Sequence, residues 1–408
     1  MTGQDGERFD FVIVGGGPAG LSAGITAARN GSSALVLEQG DKPGPRPRGE
    51  GVNPYRLFDE LLGKGFLEAH AFVMTHGSVY HSPGALKEVV LPSGRPLYFF
   101  EWREFMDRLE EVAREEGVTV RTRARVTGVL EGEERQCLGV RYADADGEVH
   151  EVRGAAVLGC DGYQSVIGQH YGVAYDRMSC PIMKCRLSGA NFDPEQTRAL
   201  QFYLIGHGDL PYAPTFPPCV AYAFPLADQQ MEVGLMARMI HGHRMKTVDR
   251  PSQEAFVEVW SHLKEEYPGF REYFVGATID HEEPTDLPNA SLLRDNVPAP
   301  GAVLLGDSAG FVDPFGSSGI YYSMEMARWW TQTIAEALQQ SGDDPRSAWS
   351  DHNISRWGKG FRATKVRRHI RGSYLKVGLL EWYVFKHLRT AERMNRRWWV
   401  VSALMKLG

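Results

Sequence analysis

Residues 8–345 predict an α/β protein in which a parallel sheet, covered by helices, is interrupted by an antiparallel sheet, and a basic helical region follows. Three observations carry this reading. A strand, glycine turn and helix at residues 9–24 are followed by a second strand ending in an acid. Short apolar and alternating runs separated by turn signals fill residues 172–288. From residue 356 onward, 14 Lys/Arg stand against 2 Asp/Glu.

The first stretch is FDFVIVGGGPAGLSAG. Phe9, Phe11, Val12, Ile13 and Val14 predict a buried strand, and a helix of small residues is expected from the glycine turn to about Asn30. Gly15, Gly17 and Gly20 carry the G-x-G-x-x-G spacing: one turns sharply, one admits a pyrophosphate to the backbone, and one packs helix on strand. The bare helix N-terminus offers N–H groups and a positive dipole end to phosphates. A second strand at residues 33–37 ends in Glu38, eighteen residues past Gly20, where a carboxylate can take ribose hydroxyls. Together these predict a Rossmann-like dinucleotide site.

Composition sets the limits. The chain has 408 residues, 43% of them hydrophobic and 24% charged, as in ordinary globular proteins. A net charge of −6 argues against a general nucleic-acid binder. Five cysteines and no secretory signal pattern lead to the expectation of a reducing cytoplasm. Cys180 and Cys185 lack the second pair or His cluster a metal site would need, so none is assigned.

In chain order, residues 39–54 (QGDKPGPRPRGEGVNP) read as loop, with Arg46, Arg48 and Glu50 able to lie over a cofactor or to face solvent. A helix is expected at residues 54–62. Residues 87–100 read as a hairpin turning at Pro92-Ser93-Gly94-Arg95, and residues 101–116 as an amphipathic helix. At residues 155–168 (AAVLGCDGYQSVIG) a strand runs into Asp161. The middle of the chain reads as an antiparallel sheet with one helix, residues 252–267, and an inner face suited to an apolar substrate. At residues 302–319 (AVLLGDSAGFVDPFGSSG) a strand ends in Asp307, whose carboxylate can hold a polyol hydroxyl. Pro314, Gly316 and Gly319 then shape a loop opening a helix through about Gln340, its N-terminus able to face an electron-rich ring. A polyol with a ring indicates a flavin.

These three motifs, in this order, resemble the para-hydroxybenzoate hydroxylase-like FAD oxidoreductases over residues 8–340. GDSAGFVDP followed by GIYYSMEMA, and Tyr222-Ala223-Phe224-Pro225 followed by Val233-Gly234-Leu235, most resemble the geranylgeranyl reductase family. The resemblance implies that Gly15, Gly17, Gly20 and Glu38 bind ADP, that Arg48 and Arg103 contact FAD, and that Asp161 lies near the pyrophosphate. It also implies that Asp307 holds the ribityl chain, while Gly316, Gly319 and Ile320 lie against the isoalloxazine, with Pro314 in the same cofactor-binding loop. The implied layout has an FAD-binding domain in three parts (1–75, 101–172 and 289–345), a substrate-domain hairpin (76–100), a substrate domain (173–288) and a basic helical C-terminal region (346–408). Where the family usually has Cys-Gly, this chain has Arg48-Gly49-Glu50-Gly51, and Ala223 replaces the usual aromatic. Gly49-Glu50 and Ser317-Ser318-Gly319 resemble flavin-dependent halogenases, but their Trp-x-Trp-x-Ile-Pro signature and a lysine within residues 72–86 are absent.

The implied reaction is hydride transfer from reduced flavin to an alkene of a hydrophobic, isoprenoid-type substrate, with Tyr222 and Glu50 as candidate proton donors. A flavin monooxygenase acting on an aromatic or olefin is the alternative. NAD(P)H, bound transiently, or another protein would supply electrons. For the tail, whose net charge of +12 leaves −18 for the rest, two partners stay open. One is an anionic membrane surface at the inner face of the membrane; the other is the acidic body of the same chain or a second subunit.

Overall fold

The central strand, Arg8–Val14, ends in four consecutive fully buried residues, as expected where both faces of a parallel sheet are covered. In the computed structural model the described residues are 7–44, 49–173, 179–192, 199–206, 219–226, 228–237, 252–288, 296–313, 318–342, 344–388 and 390–406. Arg8–Val14 pairs in parallel with Ala34–Leu37 on one side and Val149–Gly159 on the other. Thr119–Arg121 extends the sheet beyond Ala34–Leu37. Val149–Gly159 serves two partners along one edge: its first half pairs antiparallel with Cys137–Ala143, and its last three residues pair parallel with Ala302–Leu304. Helix Pro18–Arg29 packs against Ile320–Gln340 and Trp102–Glu115. Its small residues allow this close fit; a Cβ on Gly24 would sit 3.0 Å from Val118 Cγ1.

A second, seven-stranded sheet runs in the order Thr278–Pro288, Ser179–Ser188, Gln230–Ala237, Cys219–Pro225, Leu200–Ile205, Ser78–His81, Glu88–Leu91. Strand alternation gives it two faces. One, with Cys185, Ala221, Ala223 and Val233, is closed by helix Gln253–Glu265, whose cap Ser252 accepts from Ala255 N–H at 3.1 Å. The other carries Ile182, Tyr222, Met236, Phe202 and Phe224.

The three-stranded sheet between them corrects two expectations. Residues 39–54 are not loop throughout, because Gly49–Val52 pairs antiparallel with Leu97–Glu101. Nor do residues 87–100 form a hairpin. Glu88–Leu91 pairs back onto Ser78–His81, while Leu97–Glu101 crosses to join Gly49–Val52 and Ala71–Thr75. The Pro92–Arg95 turn therefore links two sheets. Adjacent residues of Leu97–Glu101 anchor opposite sides: Phe100 stacks on Phe105 at 4.8 Å, and Phe99 on Phe224 at 4.9 Å.

Beyond Gln340 come helices Asp351–Ala363 and Lys365–Glu381, a π-helical turn at Trp382–His387, and helices Ala391–Arg396 and Trp398–Lys406. The tail docks on its own chain. Val384, Met394, Trp398 and Val401 bury against Val89, Leu204 and Val220 of the seven-stranded sheet. Asn395 Nδ2 donates to Pro83 O at 2.9 Å, and Lys87 Nζ donates to Asn395 O at 2.7 Å. Trp398 is 5% exposed and Trp399 is 71% exposed, since neighbours on a helix point about 100° apart. Trp398→Ala is expected to cost about 3–5 kcal/mol in urea unfolding. Trp399→Ala should stay within about 0.5 kcal/mol. Equal losses in the two variants would contradict this packing.

Candidate cofactor and substrate site

Four parallel strands end in register. Leu37 is opposite Val14, Val14 opposite Gly159, and Gly159 opposite Leu304. The residues that follow therefore emerge side by side: Glu38, Gly15, Cys160-Asp161 and Leu305-Gly306-Asp307. Backbone bonds continue the row, with Gly15 N donating to Leu37 O at 2.8 Å, Cys160 N to Val14 O at 2.8 Å and Leu305 N to Gly159 O at 2.9 Å. This is the carboxyl-end crevice where open α/β sheets take ligands.

The three motif glycines differ physically. Gly15 has φ +98°, and a Cβ there would lie 2.4 Å from Cys160 O; a Cβ on Gly20 would lie 1.9 Å from Gly15 O. Gly17, at the N-cap of helix Pro18–Arg29, would place a Cβ in open space, with nothing within 4 Å. Of the three it alone leaves an open cradle at the helix N-terminus. Glu38 is buried, its carboxylate accepting from Gly16 N at 2.8 Å and Gly40 N at 2.7 Å. A carboxylate has about four lone-pair sites, so it can also accept from ribose hydroxyls.

Asp161 Oδ2 accepts from Val166 N at 2.7 Å, while its Oδ1 is buried and unpaired. Burial pushes its carboxyl above the ordinary range, partly offset by donors from Ser165 and nearby amides. Arg103 is spent mainly on its own chain, donating to Asp107 at 2.7 Å and to Pro43 O at 2.9 Å; its Nη2 is buried without a partner. The orphan acceptor of Asp161, beside the Gly15 turn, and the orphan donor of Arg103, against the Pro43-Gly44 loop, fit a ligand such as FAD that carries hydroxyls and phosphates. Asp307 is partly buried, its Oδ1 3.7 Å from where a Gly319 Cβ would stand. Gly319 and Ile320 open helix Ile320–Gln340 without a side-chain cap. Arg48, Pro314 and Gly316 lie outside the described residues.

On the substrate side, Tyr222 is opposite Gly234, where a Cβ would meet its ring at 2.4 Å; the glycine makes room for the ring. Its hydroxyl donates to buried Glu232 Oε1 at 3.4 Å, and Lys184 Nζ lies 4.0 Å from the same oxygen. The backbone of Glu50 lies opposite Phe100 in the three-stranded sheet, one residue from Gly51 opposite Phe99. Phe99 and Phe224 join the two sheets, so Tyr222 and the Glu50 strand border one seam.

Two groups had not been singled out from sequence. Glu232 breaks the apolar pattern of its strand, a usable signal. His369 comes from helix Lys365–Glu381, and its Nε2 lies 3.1 Å from Asp313 Oδ2 and 3.0 Å from Tyr322 OH. No local pattern marks it. Tyr321, next along, stacks on Tyr55 with centroids 3.6 Å apart, and burial pushes its hydroxyl up to about 12.

Two predictions follow from these loops. Gly20→Ala should lose FAD and about 1–3 kcal/mol of stability, whereas Gly17→Ala should keep its melting temperature and bind FAD at least tenfold more weakly; equal effects in both would be contrary. The raised Asp161 carboxyl stabilises the FAD-free fold fully below its unfolded value near ~3.9, and that contribution is lost as pH rises through the folded value. Asp161→Asn should flatten the fall in melting temperature of FAD-free protein above pH ~4, and an unchanged slope would refute it.

Residues 8–347 match the family model described as FAD binding domain. A digeranylgeranylglycerophospholipid reductase of Methanococcoides burtonii is 27% identical over 365 residues, covering 87% of this chain and 81% of its own. A menaquinone reductase of Mycobacterium tuberculosis is also 27% identical, over 378 residues, covering 88% and 83%. A solved geranylgeranyl bacteriochlorophyll reductase-like protein of Thermoplasma acidophilum shares the fold, with TM-score 0.78, 19% identity and coverage of 97% and 92%. The chain belongs to the FAD binding domain family and is an FAD-dependent oxidoreductase that resembles the geranylgeranyl reductases.

Proposed function

We propose that this enzyme reduces carbon–carbon double bonds of an isoprenoid lipid. The observation carrying the proposal is the aromatic and aliphatic face of the seven-stranded sheet, which meets the cofactor domain through Phe224 and Phe99. The reductase names of both relatives, each for an isoprenoid-bearing compound, support the same chemistry. Phe202, Phe224, Ile182 and Met236 would exclude water and orient the chain by apolar contact. Gly15, Gly17, Gly20, Glu38, Arg103, Asp161, Asp307, Gly319 and Ile320 would hold FAD, which would supply the hydride equivalent. Arg48, Pro314 and Gly316 are proposed for the same shell.

Addition of two hydrogens also needs a proton. We assign its delivery to the Tyr222 hydroxyl, held toward Glu232 on that apolar face, with Glu50 on the adjoining strand as the second candidate. Electrons would come from NAD(P)H bound transiently or from a protein donor. We further propose peripheral contact with the inner face of the membrane.

The experiment is anaerobic mixing of photoreduced enzyme with a prenylated lipid. Flavin reoxidation with a product two hydrogens heavier is expected. No reoxidation until oxygen is admitted, with oxygen incorporated into the product, would instead establish a monooxygenase. Tyr222→Phe should bind FAD normally and slow reoxidation by on the order of 10²-fold. A change below threefold would remove Tyr222 from the proton path.

A further inference from the structure

Helix Lys365–Glu381 and the turn after it have two unlike faces. Val366, Ile370 and Val377 are buried, and Val384 packs into the cluster beneath the tail. Leu375, Leu379 and Trp382 recur at i, i+4 and i+7, and are 65%, 67% and 41% exposed. Arg368 and Arg371 lie one to two turns before Leu375 on the same stripe, Lys365 and Lys376 flank it, and all four are exposed. An apolar stripe on a packed helix ordinarily faces a core; this one faces outward and is edged by cations. Among the described residues, no helix is long and apolar enough to cross a membrane.

We propose that this stripe is a docking surface for an anionic lipid bilayer, with Leu375, Leu379 and Trp382 entering the headgroup boundary and the four basic side chains meeting lipid phosphates. The choice of occupant rests on charge. The body carries −18 and the tail +12, so a second copy of this chain would have to meet the cationic stripe with another like-charged tail or spend its acidic surface on an apolar one. An anionic bilayer satisfies both halves of the stripe at once. Each basic side chain near such a surface adds roughly fivefold to partitioning, and salt screens that gain. The stripe rests on the membrane contact proposed above and gives it its residues; its test reads vesicle binding, not turnover, so it can fail while the proposed reduction stands.

The test is vesicle co-sedimentation of the full FAD-loaded chain, comparing phosphatidylcholine alone with phosphatidylcholine containing phosphatidylglycerol. Wild type should bind the anionic vesicles at least tenfold better and release in high salt. Leu375→Glu with Leu379→Glu should lower that binding more than tenfold. Arg368→Glu with Arg371→Glu should abolish the preference for anionic lipid. Val149→Glu, at an exposed apolar position elsewhere, should change nothing. Circular dichroism and bound FAD should be unaltered in every variant, because all the replaced side chains are exposed. Absence of vesicle binding, or binding insensitive to both double variants, would overturn the proposal. So would a dimer in sedimentation velocity that Leu375→Glu/Leu379→Glu converts to monomer without any effect on vesicles.

Discussion

The alignment of four strand ends is the constraint on which the site depends. With Leu37, Val14, Gly159 and Leu304 held in one row, three loops far apart in sequence become neighbours by hydrogen-bond register alone. A slip of one residue would exchange the faces of a whole strand and carry its loop away from the others. The glycines tighten the same arrangement: Gly15 lies against Cys160 O, and Gly306 faces Ala19, so first loop touches second and third touches first helix. Little freedom is left for the crevice to open or close from within the parallel sheet.

The substrate side is attached through much less material. Phe99 and Phe100 are sequence neighbours on one strand, yet one stacks into the antiparallel sheet and the other into the cofactor domain. Alternation of side chains makes that strand a seam between two cores. Tyr222, with Glu232 and Lys184, is the polar element of an otherwise apolar face, and a buried carboxylate on such a face is stabilised by its hydroxyl and ammonium neighbours. The tail helices close the far end of that face, leaving the Tyr222 end toward the cofactor domain.

Much of this was legible in the chain because it is local. The strand, turn and helix at residues 8–29, the acid at Glu38, the helix expected at residues 252–267 and helix Ile320–Gln340 are each marked by the residues of their own segment. Pairing across long separations was not legible. Gly49–Val52 has loop composition and becomes a strand only because Leu97–Glu101 runs beside it. The turn at Pro92–Arg95 suits a hairpin or a crossing equally, and the distant partners of each flanking strand decide between them. The functions of Trp398 and Trp399 separate only once the helix phase is known. His369 reaches Asp313 from 56 residues away, with nothing nearby to announce it.

The double use of Val149–Gly159 has a consequence for biosynthesis. Its last three residues wait for Ala302–Leu304, which leaves the ribosome only after the whole antiparallel sheet has been made. Until then one edge of the nascent sheet is open beside Cys160 and Asp161, and the glycine cradle lacks its third wall. Pairing across so long a separation is slow, and an open edge during synthesis invites wrong partners. Capture of the flavin thus comes at the end of assembly, and holoprotein content measures how many chains have closed that edge correctly.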